Sequence, residues 1–148
     1  MKYGITMVEK NGDAYYSVEW SPLSKADRYE IISKVPALAG VYEIYWMDEN
    51  NHLRLFEVGK TDYGGLRSEL RRLTDPELCK DNEKTRKILE EKEIWYRYTL
   101  TDSSNEMADI VWFFMQNYFP EATSFKHSDR FNNIFLKESA PDKLIWVP

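Results

Sequence analysis

Residues Pro36 to Leu73, PALAGVYEIYWMDENNHLRLFEVGKTDYGGLRSELRRL, leave this chain few ways to fold. Two apolar and aromatic runs, Val41 to Met47 and Leu53 to Val58, are separated by the polar segment Asp48-Glu49-Asn50-Asn51, the pattern of two antiparallel strands joined by a short turn. Gly59 ends the second run. A polar, glycine-containing loop, Lys60 to Gly65, then leads into Leu66-Arg67-Ser68-Glu69-Leu70-Arg71-Arg72-Leu73. There Leu66, Leu70 and Leu73 recur at helical spacing while the arginines occupy the other sides. Hairpin, loop and basic helix form one unit against which the other elements must pack.

Upstream, Tyr3 to Val8 and Ala14 to Trp20 flank Lys10-Asn11-Gly12-Asp13, where Asn-Gly supplies the positive backbone angles of a tight hairpin turn. Tyr16, Val18 and Trp20 alternate with polar residues, so one face of this hairpin meets the core, either extending the central sheet or covering an edge. Ser24, with Asp27 three residues on, reads as the N-cap of a short helix bearing Tyr29, Ile31 and Ile32 and ending before Pro36. Downstream, Asp81 or Asn82 caps a charged helix through about Glu91, and Ile94 to Leu100 forms a third strand with Trp95 and Arg97 on one side. Ser103 and Glu106 make a capping box for a helix whose stripe, Ala108, Val111, Trp112 and Met115, ends before Pro120. Phe125, Phe131, Ile134, Phe135 and Leu136 pack in short elements, and Ile145-Trp146-Val147 adds a short terminal strand or a clasp.

The expected fold is therefore α/β of the α+β type: a small central three-stranded antiparallel sheet flanked by helices, with an added amino-terminal hairpin. With 148 residues and 43% hydrophobic content the chain suits a single domain, residues 1–148, in which 1–35 is an amino-terminal extension. Twenty Lys and Arg against 25 Asp and Glu leave a net charge of -5, which does not favour broad, unspecific attraction to nucleic acid or to acidic membranes but leaves room for local basic patches that bind phosphate. Cys79 is the one cysteine, so an internal disulfide and a cysteine-built metal site are excluded. The start, MKYGITMVEKNGD, lacks the apolar segment of a secretory signal and no run spans a bilayer, so a cytoplasmic protein without membrane contact is expected.

In order and placement, Gly40-Val41-Tyr42 on one strand, Glu57-Val58-Gly59 on the next, Lys60-Thr61 after it and Arg67 on the following helix resemble the GIY-YIG nuclease domain, over residues Ala37 to Pro120. The resemblance implies descent from a metal-dependent DNA endonuclease that places tyrosines and an arginine near the phosphate and holds one divalent ion, Mg2+ or Mn2+, on a glutamate. Tyr42 then positions or activates water, Arg67 clamps a phosphate oxygen through its planar fork, and Gly40 and Gly59 support the motif. Lys60, Tyr63, Arg71 and Arg72 form the basic, partly aromatic edge for DNA.

Two departures alter this picture. Glu57 stands where the second motif has a tyrosine, placing an anion near the phosphate site, and matching the late helix puts Val111 at the metal-binding glutamate. Glu106 and Asp109, three residues apart on that helix, are the candidate replacement ligands, against ordinary roles as a cap and a solvated carboxylate; Glu43 and Glu57 are the other carboxylates available. Asn132 and Asn133 match the family's late asparagine only at an unusual spacing, and His52 and His127 lack metal-ligand spacing. The leading functional expectation is a divergent GIY-YIG-like protein that binds DNA with impaired or altered phosphodiester hydrolysis. The alternatives are an active endonuclease using Mg2+ or Mn2+ and a non-catalytic protein-interaction domain, the last favoured by the acidic charge and the two replaced residues.

Overall fold

The structure is a computed structural model and describes residues 3–62, 64–79, 82–121, 125–141 and 146–147. In chain order it contains β1 (Ile5–Lys10), β2 (Asp13–Glu19), β3 (Ser24–Lys25), α1 (Arg28–Lys34), β4 (Gly40–Met47), β5 (Leu53–Thr61), α2 (Gly65–Thr74), α3 (Glu83–Glu91), β6 (Ile94–Leu100), α4 (Ser104–Tyr118), β7 (Asn133–Ser139) and β8 (Trp146–Val147). The class is α+β. Among the described residues no helix is long and apolar enough to cross a membrane.

Two sheets form, one of five strands in the order β3-β6-β4-β5-β8 and one of three in the order β1-β2-β7. The middle of the larger sheet is the expected antiparallel trio, with β4 between β5 and β6. It is longer than expected because β3 joins β6 and β8 runs parallel to β5. The amino-terminal hairpin does not extend this sheet. Asn11 and Gly12 take φ of 55° and 83°, as their turn requires, and β2 then pairs along its length with β7, Asp13 opposite Asn133 through Glu19 opposite Ser139. That pairing is parallel, so it needs a long crossover and leaves no local trace in the sequence.

From Gly40 to Tyr45 neither face of β4 reaches water, because successive residues feed two different cores. Val41 and Tyr45 join β2 and the α4 residues Met107, Ile110, Val111 and Phe114 in one core, so α4 packs against both sheets. Tyr42 and Ile44 join Ile31, Leu66, Leu70 and Leu89 from α1, α2 and α3 in the other. The β4–β5 register slips between Ile44 and Tyr45, leaving Phe56 as the extra residue of a bulge, and Leu55 and Val58 consequently share a core although three residues apart.

Two helix starts differ from expectation. Ser24 belongs to β3 opposite Tyr96, and Asp27 is the N-cap of α1, its carboxylate accepting from the backbone N–H groups of Tyr29 and Glu30. Ser103 caps α4 by accepting from Glu106 N–H, but Glu106 closes the cap through a relay: its carboxylate accepts from Thr101 Oγ1 at 2.7 Å, and that hydroxyl accepts from Ser103 N–H at 3.1 Å. Asn82 caps α3, whereas Asp81 and Ile145 lie outside the described residues.

On β6, the fully buried Thr99 hydroxyl has no hydrogen-bond partner among the described residues. Thr99→Val keeps the shape and removes the unsatisfied group, so it is expected to stabilise the protein by about 1 kcal/mol in urea unfolding. A loss of stability would show that the hydroxyl has a partner.

Candidate functional site

Gly59 lies directly across from Tyr42 in the sheet, and a Cβ on it would sit 2.5 Å from Tyr42 Cζ. The bare glycine therefore lets the Tyr42 ring lie across β5. From there its hydroxyl donates to Glu57 Oε2 at 3.2 Å. Gly40 is needed for a different reason, since its Cβ would strike the Thr99 carbonyl of β6 and approach Leu66 Cδ1 of α2 to 2.9 Å. Both motif glycines are thus positions of close approach between elements.

Burial first, and then the neighbouring carboxylates Glu57 and Glu69, push the Tyr42 hydroxyl well above the ordinary tyrosine range. Tyr42 is a fixed donor. Glu57 is also raised, by burial and by the charge of Glu69, against the hydrogen bond from Tyr42 and the charge of Arg72. Arg72 itself is held by Glu69 in a two-pronged contact, Nε to Oε1 at 3.1 Å and Nη2 to Oε2 at 3.0 Å. The cluster the fold builds around the first motif is therefore Tyr42, Glu57, Glu69 and Arg72, and Glu69 was not singled out by the sequence reading. Its signal was available in the three-residue spacing to Arg72 on one helix.

The structure directs Arg67 elsewhere. Its Nε donates to the Val35 carbonyl at 2.7 Å, joining α2 to the carboxyl end of α1. Lys60 pairs with Asp62 at 3.5 Å. Arg71 is exposed beside a cleft of about 240 Å³ that also takes in Thr74, Asp75 and Lys92. Tyr63 lies outside the described residues.

The residues around α4 do not converge on Tyr42. Val111 is in the core on the opposite side of the sheet. Asp109 is not solvated as expected: it is 0% exposed, accepting from the Tyr16 hydroxyl at 2.5 Å, Ser128 N–H at 2.7 Å and Arg130 Nη2 at 3.3 Å. Glu106 serves the Thr101 relay described above. Asn133 donates to the Asp13 carboxylate, Asn132 N–H to the Gly12 carbonyl, and both thereby hold the turn of the first hairpin. His52 N–H donates to Asp48 within the second hairpin, and the His127 ring meets Trp112 edge-on.

A divalent ion of the kind the resemblance implies does not fit these residues. Among the described residues no three His, Cys, Asp or Glu side chains gather to hold a metal ion. Both Asp109 oxygens and Oε1 of Glu106 are engaged as above, and Val111 offers no donor.

A second polar cluster lies on the α4 side of the sheet. Glu43, 1% exposed, accepts from Arg97 Nε at 2.6 Å and from the Tyr45 hydroxyl at 2.5 Å. Arg97 Nη2 continues to Glu138 Oε1 at 3.2 Å, which also accepts from Trp20 Nε1 at 2.7 Å, and the guanidinium lies 4.6 Å from the centre of the Trp20 ring. This network clamps β4 and β6 to β2 and β7. An arginine inside the aromatic strand IWYRYTL, with both faces destined for cores, was the available signal.

Chemically, the Tyr42 cluster pairs a phenol donor with a carboxyl whose charged form burial disfavours. Because the folded-state value of Glu57 lies above its ordinary 4.5, the folded protein binds the Glu57 proton more tightly than the unfolded chain. Its contribution is therefore favourable below that value and is lost as pH rises through the folded one. Glu57→Gln keeps the acceptor for Tyr42 without the charge. Chemical unfolding should find it more stable than wild type by about 1 kcal/mol at neutral pH, with the two converging near about pH 4. A variant less stable than wild type at neutral pH would show that Glu57 is favourably ionised.

No curated protein and no solved structure matches the chain. A family model described as "Uncharacterised protein" matches residues 4–148, and the chain belongs to that family.

Proposed function

We propose that this chain is a non-catalytic protein-interaction domain on a GIY-YIG-like scaffold, with its inherited phosphate site closed by its own side chains. The observation that carries the reading is the internal pairing at that site: the Tyr42 hydroxyl is given to Glu57 and the Arg72 fork to Glu69. Lys60 is paired with Asp62 and Arg67 Nε is bonded to Val35, so these groups that would meet a phosphate, Arg71 excepted, are turned to partners within the chain. The scaffold reading is supported by the order hairpin β4–β5, basic helix α2, strand β6, helix α4, and by the packing needs of Gly40 and Gly59. A single cysteine, Cys79, suits a reducing cytoplasmic setting.

A second reading, retained DNA binding with impaired hydrolysis, is favoured by Arg71, which is exposed on the same helix beside a cleft. One set of assays separates them: cleavage with Mg2+ or Mn2+, and binding at modest salt, on branched, duplex and single-stranded DNA, with wild type, Arg67→Ala and Arg71→Ala. The interaction domain neither cleaves nor binds. Salt-sensitive binding lost in Arg71→Ala moves the conclusion to the second reading, and metal-dependent cleavage lost in Arg67→Ala would overturn both.

A further inference from the structure

The outward face of the β1-β2-β7 sheet carries an apolar row in direct cross-strand register. Val8 is opposite Tyr15, and Tyr15 is opposite Phe135. These side chains are 65%, 42% and 45% exposed, and the two rings stack with centroids 5.0 Å apart. Their cross-strand stacking already uses one face of each ring, and the exposed remainder is a strip of apolar surface in the middle of a sheet. A depression of about 310 Å³ runs beside it, and a second of about 610 Å³ lies along Thr6, Ser17, Glu19 and Lys137.

The charges around the strip decide what it fits. On one side stands the row of Lys10 opposite Asp13, and on the other Thr6 opposite Ser17 opposite Lys137, with Glu19 one row beyond. Lys10 and Lys137 balance Asp13 and Glu19, so this face is neutral while the chain as a whole carries -5. A polyanion gains no net attraction here. A second copy of this acidic chain, repelled by most of the surface, meets no like-charge penalty on this face.

We infer that the outward face of the β1-β2-β7 sheet joins two copies of this chain in a symmetric dimer, Val8, Tyr15 and Phe135 of each meeting those of the other. This rests on the interaction reading above and names its partner. Charge selects the symmetry axis. An axis parallel to the strands sets Asp13 against Asp13 of the second copy. An axis along the apolar row instead turns the Lys10–Asp13 row over the Thr6–Ser17–Lys137 row, bringing Lys137 within about one strand spacing of Asp13 of the second copy. Two sheets packed face to face in this way bury the strip as the core of an isologous interface.

Sedimentation velocity of the full chain over two orders of magnitude in micromolar concentration tests this. The expected result is a monomer–dimer equilibrium whose dissociation constant rises at least about tenfold in Phe135→Glu, with far-ultraviolet circular dichroism unchanged. Ile32→Ser, on the far helix α1, leaves it unchanged. Lys137→Asp weakens the dimer, and Asp13→Lys combined with Lys137→Asp restores it. A wild type that stays monomeric throughout overturns the inference, as does a dimer indifferent to both Phe135→Glu and Lys137→Asp. So does a labelled single-stranded oligonucleotide that binds wild type and is released by Phe135→Glu. The first two failures leave the interaction-domain reading to stand or fall on the DNA assays, whereas the third removes it as well.

Discussion

Replacing Arg97 by methionine lowers the free energy of unfolding by about 3–5 kcal/mol at neutral pH, because it strands a buried carboxylate. Glu43 has burial working against its charged form, and Arg97 is the leading influence opposing that burial. The same arginine also serves Glu138 and lies over the Trp20 ring, so its loss loosens the hold of β6 on the second sheet. The sign with pH follows. Without Arg97 the Glu43 carboxyl rises further above its ordinary value, so the deficit is larger at neutral pH than at acidic pH, where the carboxyl takes up a proton. Adding Glu43→Gln to Arg97→Met recovers part of the loss. Urea unfolding of wild type, single and double variants at both pH values checks this, and a single variant within about 1 kcal/mol of wild type at neutral pH would mean that Glu43 is already uncharged there.

Gly40→Ala should cost about 3 kcal/mol, at the upper end of what an extra methyl group costs in a packed interior. The obstacle is the Thr99 backbone carbonyl, with Leu66 Cδ1 at 2.9 Å behind it, so strand β4 must move from β6 before a methyl group fits. Gly59→Ala is the informative comparison. There the three nearest atoms all belong to the Tyr42 side chain, so Gly59→Ala in a Tyr42→Ala background costs much less than in wild type, whereas Leu66→Ala does not rescue Gly40→Ala. Thermal melts by circular dichroism separate the two cases. Equal rescue at both positions would contradict the register between β4 and β6.

How much of this was readable beforehand divides along the distance between partners. The Asn11-Gly12 turn, the Leu66 and Leu70 stripe of α2 and the Ser103 cap all depend on residues a few positions apart, and each formed where expected. Ser24 was misread because a capping pattern is short and was overruled by two backbone pairs with Tyr96 and Trp95. The second sheet escaped the sequence because β7 has no local reason to choose β2 over an edge of the larger sheet.

The site divides in the same way. Tyr42 and Glu57 were legible as neighbours because a hairpin sets them side by side, while helix periodicity alone does not say which arginine of α2 faces them. Arg67 points to Val35 and Arg72 interacts with the cluster. Asp109 looked like a surface carboxylate until Tyr16 on one side and Ser128 and Arg130 on the other supplied its partners from two distant stretches of chain.

The parallel pairing of β2 with β7 has a further consequence for how the protein acquires its shape. Asp13 and Asn133, hydrogen-bonded at one end of the ladder, are 120 positions apart, so β2 must wait for a strand made much later. Closing so long a loop precedes any gain from the ladder, and that ordering places assembly of this sheet late and slow compared with the β4–β5 hairpin. During synthesis the aromatic face of β2, with Tyr16, remains without its β7 partner until the 120 positions that separate Asp13 from Asn133 have been made. That interval, more than the finished fold, is where this chain is exposed to misassociation.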